Sequence, residues 1–325
     1  MVRPAKVDSQ TEAVLKRLEA LAERAPELAE PVAFYRAALP ALRQAQADVP
    51  PFSLDPETAQ RKLESGLPLL VGEDLPLDGA AMRDLFLRLC RTTESAGVDR
   101  TSPPRPAFSF LSRGRSGPLQ SSGSAYAGDG SALRAAAAER IRRAVERDQL
   151  DLLSVWEALA AGDWPRVERA AADLQLDAGL LRLLAENSLK PSLRAWSRGL
   201  QDRVDLDRWR RGSCPMCGNS PTLSEIQGKE GERRLRCGAC GADWHYPRLQ
   251  CAFCGNSNHK TLGTISVEGE EEKYYAQTCD ECRGYSKVVV TFDPTPVDLL
   301  AVEDLATLHF DLIAAERGYM RAPVR

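Results

Sequence analysis

The chain has 325 residues, 43% of them hydrophobic, which excludes a disordered polymer and leaves room for one large domain or a few smaller ones. Its 43 Lys and Arg nearly balance 46 Asp and Glu, so overall charge does not favour a polyanionic partner. The opening stretch, "MVRPAKVDSQTEAVLKRLEALAERAPELAE", lacks the apolar run of a secretory signal, and no later run approaches the roughly 20 residues of a membrane span. A soluble, cytoplasmic chain is expected. That compartment keeps thiols reduced, so paired cysteines read as metal ligands or redox groups.

The first two-thirds is rich in Ala, Leu, Arg and Glu and has helical periodicity, beginning with Val14, Leu15, Leu18, Leu21 and Ala22 on one face. Further helices are predicted over roughly 31–47, 56–65, 78–95, 131–161, 163–172 and 177–200. Pro40 and Pro191 are expected to kink or interrupt theirs, because proline lacks the amide proton and crowds the preceding turn. Cys90 falls on an apolar face with Met82, Leu85, Phe86 and Leu89 and reads as a core residue, as do Trp156, Trp164 and Trp196. Between 101 and 131 the Pro, Gly and Ser content excludes a helix and predicts a long loop carrying Phe108, Phe110, Leu111 and Tyr126, either a plain connection or a partner-binding segment.

A domain boundary is expected near 210, where "QDRVDLDRWRRGS" gives way to a region holding eight of the nine cysteines. They form four CxxC pairs, Cys214/Cys217, Cys237/Cys240, Cys251/Cys254 and Cys279/Cys282. Two cysteines so spaced turn both sulfurs to one point in a tight knuckle, helped by a following glycine; Gly218, Gly241 and Gly255 follow directly, whereas Arg283 precedes Gly284 in the fourth. A tetrahedral site needs two knuckles. Pairing in sequence order leaves 19 residues between the first two knuckles and 24 between the last two, both suited to a ribbon-type site of four cysteines, with one metal ion per site. Four thiolates suit zinc or a single iron, and spacing does not choose between them.

Each unit reads as a repeat: "CxxCGNS", an apolar stretch ("PTLSEIQ" or "TLGTISV"), a charged glycine turn, then a strand running into the second knuckle. Such a small unit depends on its metal for much of its folding free energy. A thioredoxin-type exchange motif would sit at a helix N-terminus, and no helical pattern follows these pairs. His245 and His259 lie near knuckles, as substitute ligands or donors to ligands, but the sulfur count already closes both sites; His309 falls in the terminal helix. The connector "DWHYPRLQC" offers Trp244, His245, Tyr246 and Arg248, which either pack the units together or form a partner-binding patch. The segment "VDLLAVEDLATLHFDLIAAERGY" reads as one closing helix that covers the metal units or returns to the helical domain.

The order of "LKPSLRAWSRGL", "CPMCG", "RCGACGADWHYPRLQCAFCG", "TCDECRGYSKV" and "VEDLATLHFDLIAAERGY" resembles the formate dehydrogenase accessory protein FdhE family, most specifically from about Leu189 to Tyr319. The resemblance implies an α+β multidomain chain: an all-α domain over 1–210, two tandem rubredoxin-like four-cysteine modules over 211–249 and 250–295, and a C-terminal helix and tail over 296–325. It also implies two bound metal ions, with iron favoured. The implied partner is the molybdopterin-containing catalytic subunit of respiratory formate dehydrogenase, bound in the cytoplasm before export and assisted in its maturation. A role as an enzyme is not expected, since both sites are coordinatively closed and no catalytic constellation occurs elsewhere. Two other function classes compete. A nucleic-acid-binding zinc ribbon would use Arg233, Arg234 and Arg236 with Trp244 and Tyr246, but Glu268, Glu270, Glu271 and Glu272 oppose it in the second unit. A rubredoxin-like electron carrier would need native iron.

Overall fold

The structure is a computed structural model, and it describes residues 9–96, 130–201 and 203–321. The loop expected over 101–131 lies outside the described residues up to 129. Among the described residues, eight α-helices precede the first knuckle: α1 (Ser9–Arg24), α2 (Ala29–Ala47), α3 (Pro56–Glu64), α4 (Gly79–Ala96), α5 (Gly130–Glu146), α6 (Leu152–Ala161), α7 (Trp164–Asp173) and α8 (Ala178–Gln201). Aspartates mark several starts. Asp55, Asp151 and Asp163 each accept a hydrogen bond from the amide three residues on, an N-cap worth about 1 kcal/mol.

Periodicity joins 131–161 into one helix, but the chain breaks after Glu146. Asp148 takes a left-handed φ of 53° and Asp151 caps α6, so local turn chemistry overrides an apolar pattern that continues through the break. Conversely, Pro40 and Pro191 interrupt nothing, since α2 and α8 run through them. Pro191 is buried, as are its α8 neighbours Ser188, Leu189, Ser192 and Leu193, and burial of this stretch works against the cost of the lost backbone bond.

Helix α8 lies in the main core, where Leu181, Leu184, Leu193 and Trp196 pack with Phe86, Leu89 and Cys90 of α4, Ile141 of α5 and Trp156 of α6. The Trp156 and Trp196 indoles are satisfied: Trp156 Nε1 donates to Ser188 Oγ at 3.0 Å and Trp196 Nε1 to the Pro50 carbonyl at 2.9 Å. Trp164 is only partly buried and carries Arg182 over its ring, 3.7 Å from the centroid.

The second part is one twisted sheet. Its strands are β1 (Leu223–Gln227), β2 (Glu232–Arg236), β3 (Asp243–His245), β4 (Leu262–Ile265), β5 (Tyr274–Cys279), β6 (Gly284–Thr291) and β7 (Met320–Arg321), in the order β3-β2-β1-β6-β5-β4, with β7 on β6. Each repeat supplies an antiparallel three-strand set, β1-β2-β3 and β4-β5-β6, and the sets join by the parallel pairing of β1 with β6, Ser224 opposite Val288.

The expected closing helix is instead a 3-10 turn (Val297–Leu299), α9 (Leu300–Ala306) and α10 (Leu308–Glu316). Thr307 is buried at the break and its hydroxyl donates to the Glu303 carbonyl at 2.8 Å. The break lets one segment serve two cores: Val302 and Ala306 pack on Val14, Leu18 and Leu21 of α1, while Phe310 and Ala314 pack on Ile265, Tyr274 and Tyr285 of the sheet. Charges fix this layer. Lys287, buried on β6, holds Asp304 and Asp311 at 2.7 Å each, and Arg17 of α1 reaches Glu303 at 3.0 Å, which in turn accepts from the Tyr274 hydroxyl at 2.8 Å.

Candidate metal centres

The eight paired cysteines converge in two groups, Cys214, Cys217, Cys237 and Cys240, and Cys251, Cys254, Cys279 and Cys282, with the sulfurs of each group within 4.8 Å of one another. Within them, Cys214–Cys240 and Cys217–Cys237 are 3.4 and 3.5 Å apart, and Cys251–Cys282 and Cys254–Cys279 are both 3.7 Å apart. Metal–sulfur bonds of about 2.3 Å in a tetrahedron require sulfur separations of about 3.8 Å, so both groups fit a single four-coordinate ion.

The first three knuckles repeat one backbone pattern. The amide of Cys214, Cys237 or Cys251 donates to the carbonyl of the residue five on, and Gly218, Gly241 or Gly255 donates back to that cysteine's carbonyl at 2.8 to 3.0 Å. These glycines sit at φ between 73° and 79°. At the fourth knuckle Arg283 itself takes the left-handed position, with φ 56°. Gly284 is there for another reason: a Cβ on it would meet the Phe253 ring at 2.9 Å and Cys282 Sγ at 3.1 Å. The Arg283 side chain reaches across to the end of α10, donating from Nη2 to the Arg317 carbonyl at 2.7 Å and lying 4.0 Å over the Tyr319 ring. In the sequence Arg283 is only an irregularity; its anchoring role comes from the neighbouring chain end.

The two groups differ in their surroundings. All four sulfur residues of the first are buried, at 8% exposure or less. The loop after α3 lies along its first knuckle, with Leu69 N–H donating to the Pro215 carbonyl at 2.9 Å and Leu70 N–H to Met216 at 2.8 Å. Pro68 rests on Gly218 and Val297 on Gly241. Arg194 of α8 reaches the Gly238 carbonyl at 3.4 Å while pairing with Asp298 at 2.8 Å. The helical part, the terminal segment and the first group are thus one packed body. In the second group Cys251 and Cys279 are buried, but Cys282 is half-buried and Cys254 exposed.

Burial pushes Cys214 well up, whereas hydrogen bonds from Cys214, Cys217 and Cys240 hold Cys237 well below the ordinary thiol range. In the second group burial raises Cys279, but the backbone amide of Cys282 and the Asn256 side chain outweigh it and bring it down to about 7.

His245, His259 and His309 join neither group of donors; His309 instead bonds Glu270 at 2.8 Å. Of the connector, Trp244 and Tyr246 are buried, with Trp244 Nε1 donating to the Arg211 carbonyl at 3.1 Å and the Tyr246 hydroxyl to the Cys251 carbonyl at 3.0 Å. Those two rings pack the units together, leaving His245 half-buried and Arg248 exposed. The basic aromatic face considered for nucleic acid does not form either. Arg233 and Arg236 are buried, Arg233 donating to the Pro247 and Gln250 carbonyls and Arg236 pairing with Glu225. Burial pulls the Arg233 guanidinium down to about 10.

The profile of the FdhE central domain matches residues 213–248 and that of the FdhE C-terminal domain residues 249–325. A protein FdhE homolog of Pseudomonas aeruginosa is 31% identical over 289 residues, covering 86% of this chain and 78% of the relative. The chain belongs to the FdhE family. A homolog from Aquifex aeolicus is 33% identical over 148 residues, which is 44% of this chain and 50% of that protein. The crystal structure of the FdhE protein from Pseudomonas aeruginosa has the same fold, with a TM-score of 0.56 at 24% identity over 95% of this chain and 92% of that one. Among the described residues, no helix of this FdhE-family chain is long and apolar enough to cross a membrane.

Proposed function

We propose that this chain is a non-enzymatic accessory protein for the maturation of respiratory formate dehydrogenase, binding the catalytic, molybdopterin-containing subunit in the cytoplasm before export. In this reading each four-cysteine group holds one metal ion, iron or zinc. The observation that carries it is the closure of both groups: four sulfurs surround each centre, and a catalytic metal normally keeps a position open for water or substrate. A bound ion supplies a cross-link between two knuckles and, where it is iron, a one-electron couple.

The protein's own residues do the remaining work. Arg194, Asp298 and the Leu69–Leu70 loop fix the first group to the helices, so the helical part and the sheet present one surface to a partner. On the connector, Arg248 and its neighbour Leu249, 68% exposed, are the portion free for docking.

Anaerobic affinity purification of the tagged chain from formate-respiring cells, with mass-spectrometric identification, tests the reading. Enrichment of the catalytic subunit, reduced by Arg248→Glu in a folded variant, is expected. Retention of nucleic acid or an unrelated redox partner in its place would overturn the maturation role. Metal analysis of anaerobic and aerobic preparations decides the redox version, which stoichiometric zinc without iron in both would remove.

A further inference from the structure

Resting on the assignment of one ion to each four-cysteine group, we infer that the two centres have different jobs: the first is a permanent structural lock, and the second is an exchangeable metal site that opens at Cys254. A metal held by four thiolates leaves quickly only when an incoming ligand can approach while the old ones are still bound. That approach is blocked at the first group. Its four cysteines are buried, its first knuckle is bonded along Leu69 and Leu70, and Pro68 and Val297 press on its two glycines.

At the second group the approach is open from one side. Cys254 is exposed, and the chain after it, from Gly255 to Lys260, is exposed at every position except Asn256. The same knuckle is pinned at its other end. A Cβ on Gly212 would stand 1.7 Å from the Ala252 carbonyl oxygen, so the backbones are in direct contact there, and Tyr246 donates to the Cys251 carbonyl at 3.0 Å. The facing knuckle is held to the chain end by Arg283. Three ligands of the second centre are thus buried or tied to neighbouring elements, whereas Cys254 is exposed and its backbone is held by bonds within its own knuckle, Gly255 N–H to the Cys251 carbonyl at 3.0 Å and Cys251 N–H to the Asn256 carbonyl at 2.8 Å. Cys254 is the ligand that detaches, its exposed side chain turning to solvent while the knuckle backbone and Cys251, Cys279 and Cys282 keep their places.

The second centre's strands do not depend on it alone. Leu223 of the first repeat sits in the core formed by Ile265, Tyr274, Ala276, Tyr285 and Val289 of the second, and Phe310 closes that core from α10. Emptying the second centre therefore leaves the sheet assembled, whereas emptying the first removes the support of the contact with the helices. The site is built to gain, lose or hand on a soft divalent cation without unfolding the protein.

The test uses the full chain loaded with zinc or cobalt(II), its metal content measured first, and a chromophoric chelator in excess. Release in two phases is expected, one equivalent at least about tenfold faster than the other, a ratio typical of losing the outer support of a metal ligand. Cys254→Ser should abolish or further accelerate only the fast equivalent, with the circular dichroism spectrum and the slow equivalent unchanged. Iodoacetamide followed by peptide mapping should label Cys254 before any cysteine of the first group, a readout that needs no variant. Two equivalents leaving at one rate, or a fast phase untouched by Cys254→Ser, would overturn the inference while leaving both sites intact. A loaded chain that retains no stoichiometric metal would overturn the metal assignment itself.

Discussion

Replacing Arg283 with glycine tests whether the fourth knuckle is a defect or an anchor. Glycine is the residue the first three knuckles use, and it would remove the left-handed strain of about 1 kcal/mol that a side chain bears at φ 56°. Glycine also gains about as much freedom in the unfolded chain, so these two effects nearly cancel. What decides the sign is the side chain. The ion pair with Asp280, at 44% and 52% side-chain exposure, contributes little. The bond to the Arg317 carbonyl places a cation at the end of α10, worth about 0.5–1 kcal/mol, and the stacking on Tyr319 adds about as much. Arg283→Gly should therefore destabilise the metal-loaded protein by about 1–2 kcal/mol, read as a melting temperature lower by about 1.5–3 °C. Arg283→Ala, which keeps the strain and loses the contacts, should melt at or below the glycine variant. A glycine variant as stable as the parent would refute the anchoring role.

Gly212→Ala should cost about 3 kcal/mol or more, because its Cβ would stand 1.7 Å from the Ala252 carbonyl oxygen and both partners are backbone; unchanged melting and metal content would contradict that contact. Cys90, fully buried on α4 and pushed up to about 12 chiefly by burial, should resist alkylation in the native protein and react once it is denatured. Asp304 should make the fold acid-sensitive. Burial alone would raise its carboxyl, but Arg321 and Lys287 outweigh it and hold it below its ordinary 3.8. A depressed carboxyl stabilises the fold above its unfolded value and loses that contribution as pH falls through the folded one, so urea midpoints should drop between about pH 5 and pH 3 more steeply than in Asp304→Asn.

The parts of this protein that were legible in the sequence are those with a local cause. Spacing alone grouped the eight thiols, because a CxxC knuckle and its glycine form within a few residues, and the helical face of Val14, Leu18 and Leu21 is buried as its period requires. Much of what escaped depends on residues far apart in the chain. Arg233 and Arg236 look like a surface charge cluster until the strand pairing sets Arg236 beside Glu225 and the connector folds over Arg233. Trp244 and Tyr246 fit either an interior or a docking patch by type, and only the packing of the two repeats decides. The breaks after Glu146 and at Thr307 are turn events inside continuous apolar patterns, which periodicity passes over.

The parallel pairing of β1 with β6 joins the two repeats and with them the two centres. A lone repeat of three short strands has too little apolar area to hold itself together, and here neither has to. Ser224 and Ser286, buried 3.0 Å apart across the junction, satisfy each other where the repeats meet, and Leu223 crosses into the second repeat's core. With the sheet closed by α10 and the first centre fixed by α8, the second centre is relieved of the structural burden that a free-standing module would place on it. A second four-cysteine group whose strands are held by the sheet and α10 can therefore differ in occupancy from the first without the strands coming apart.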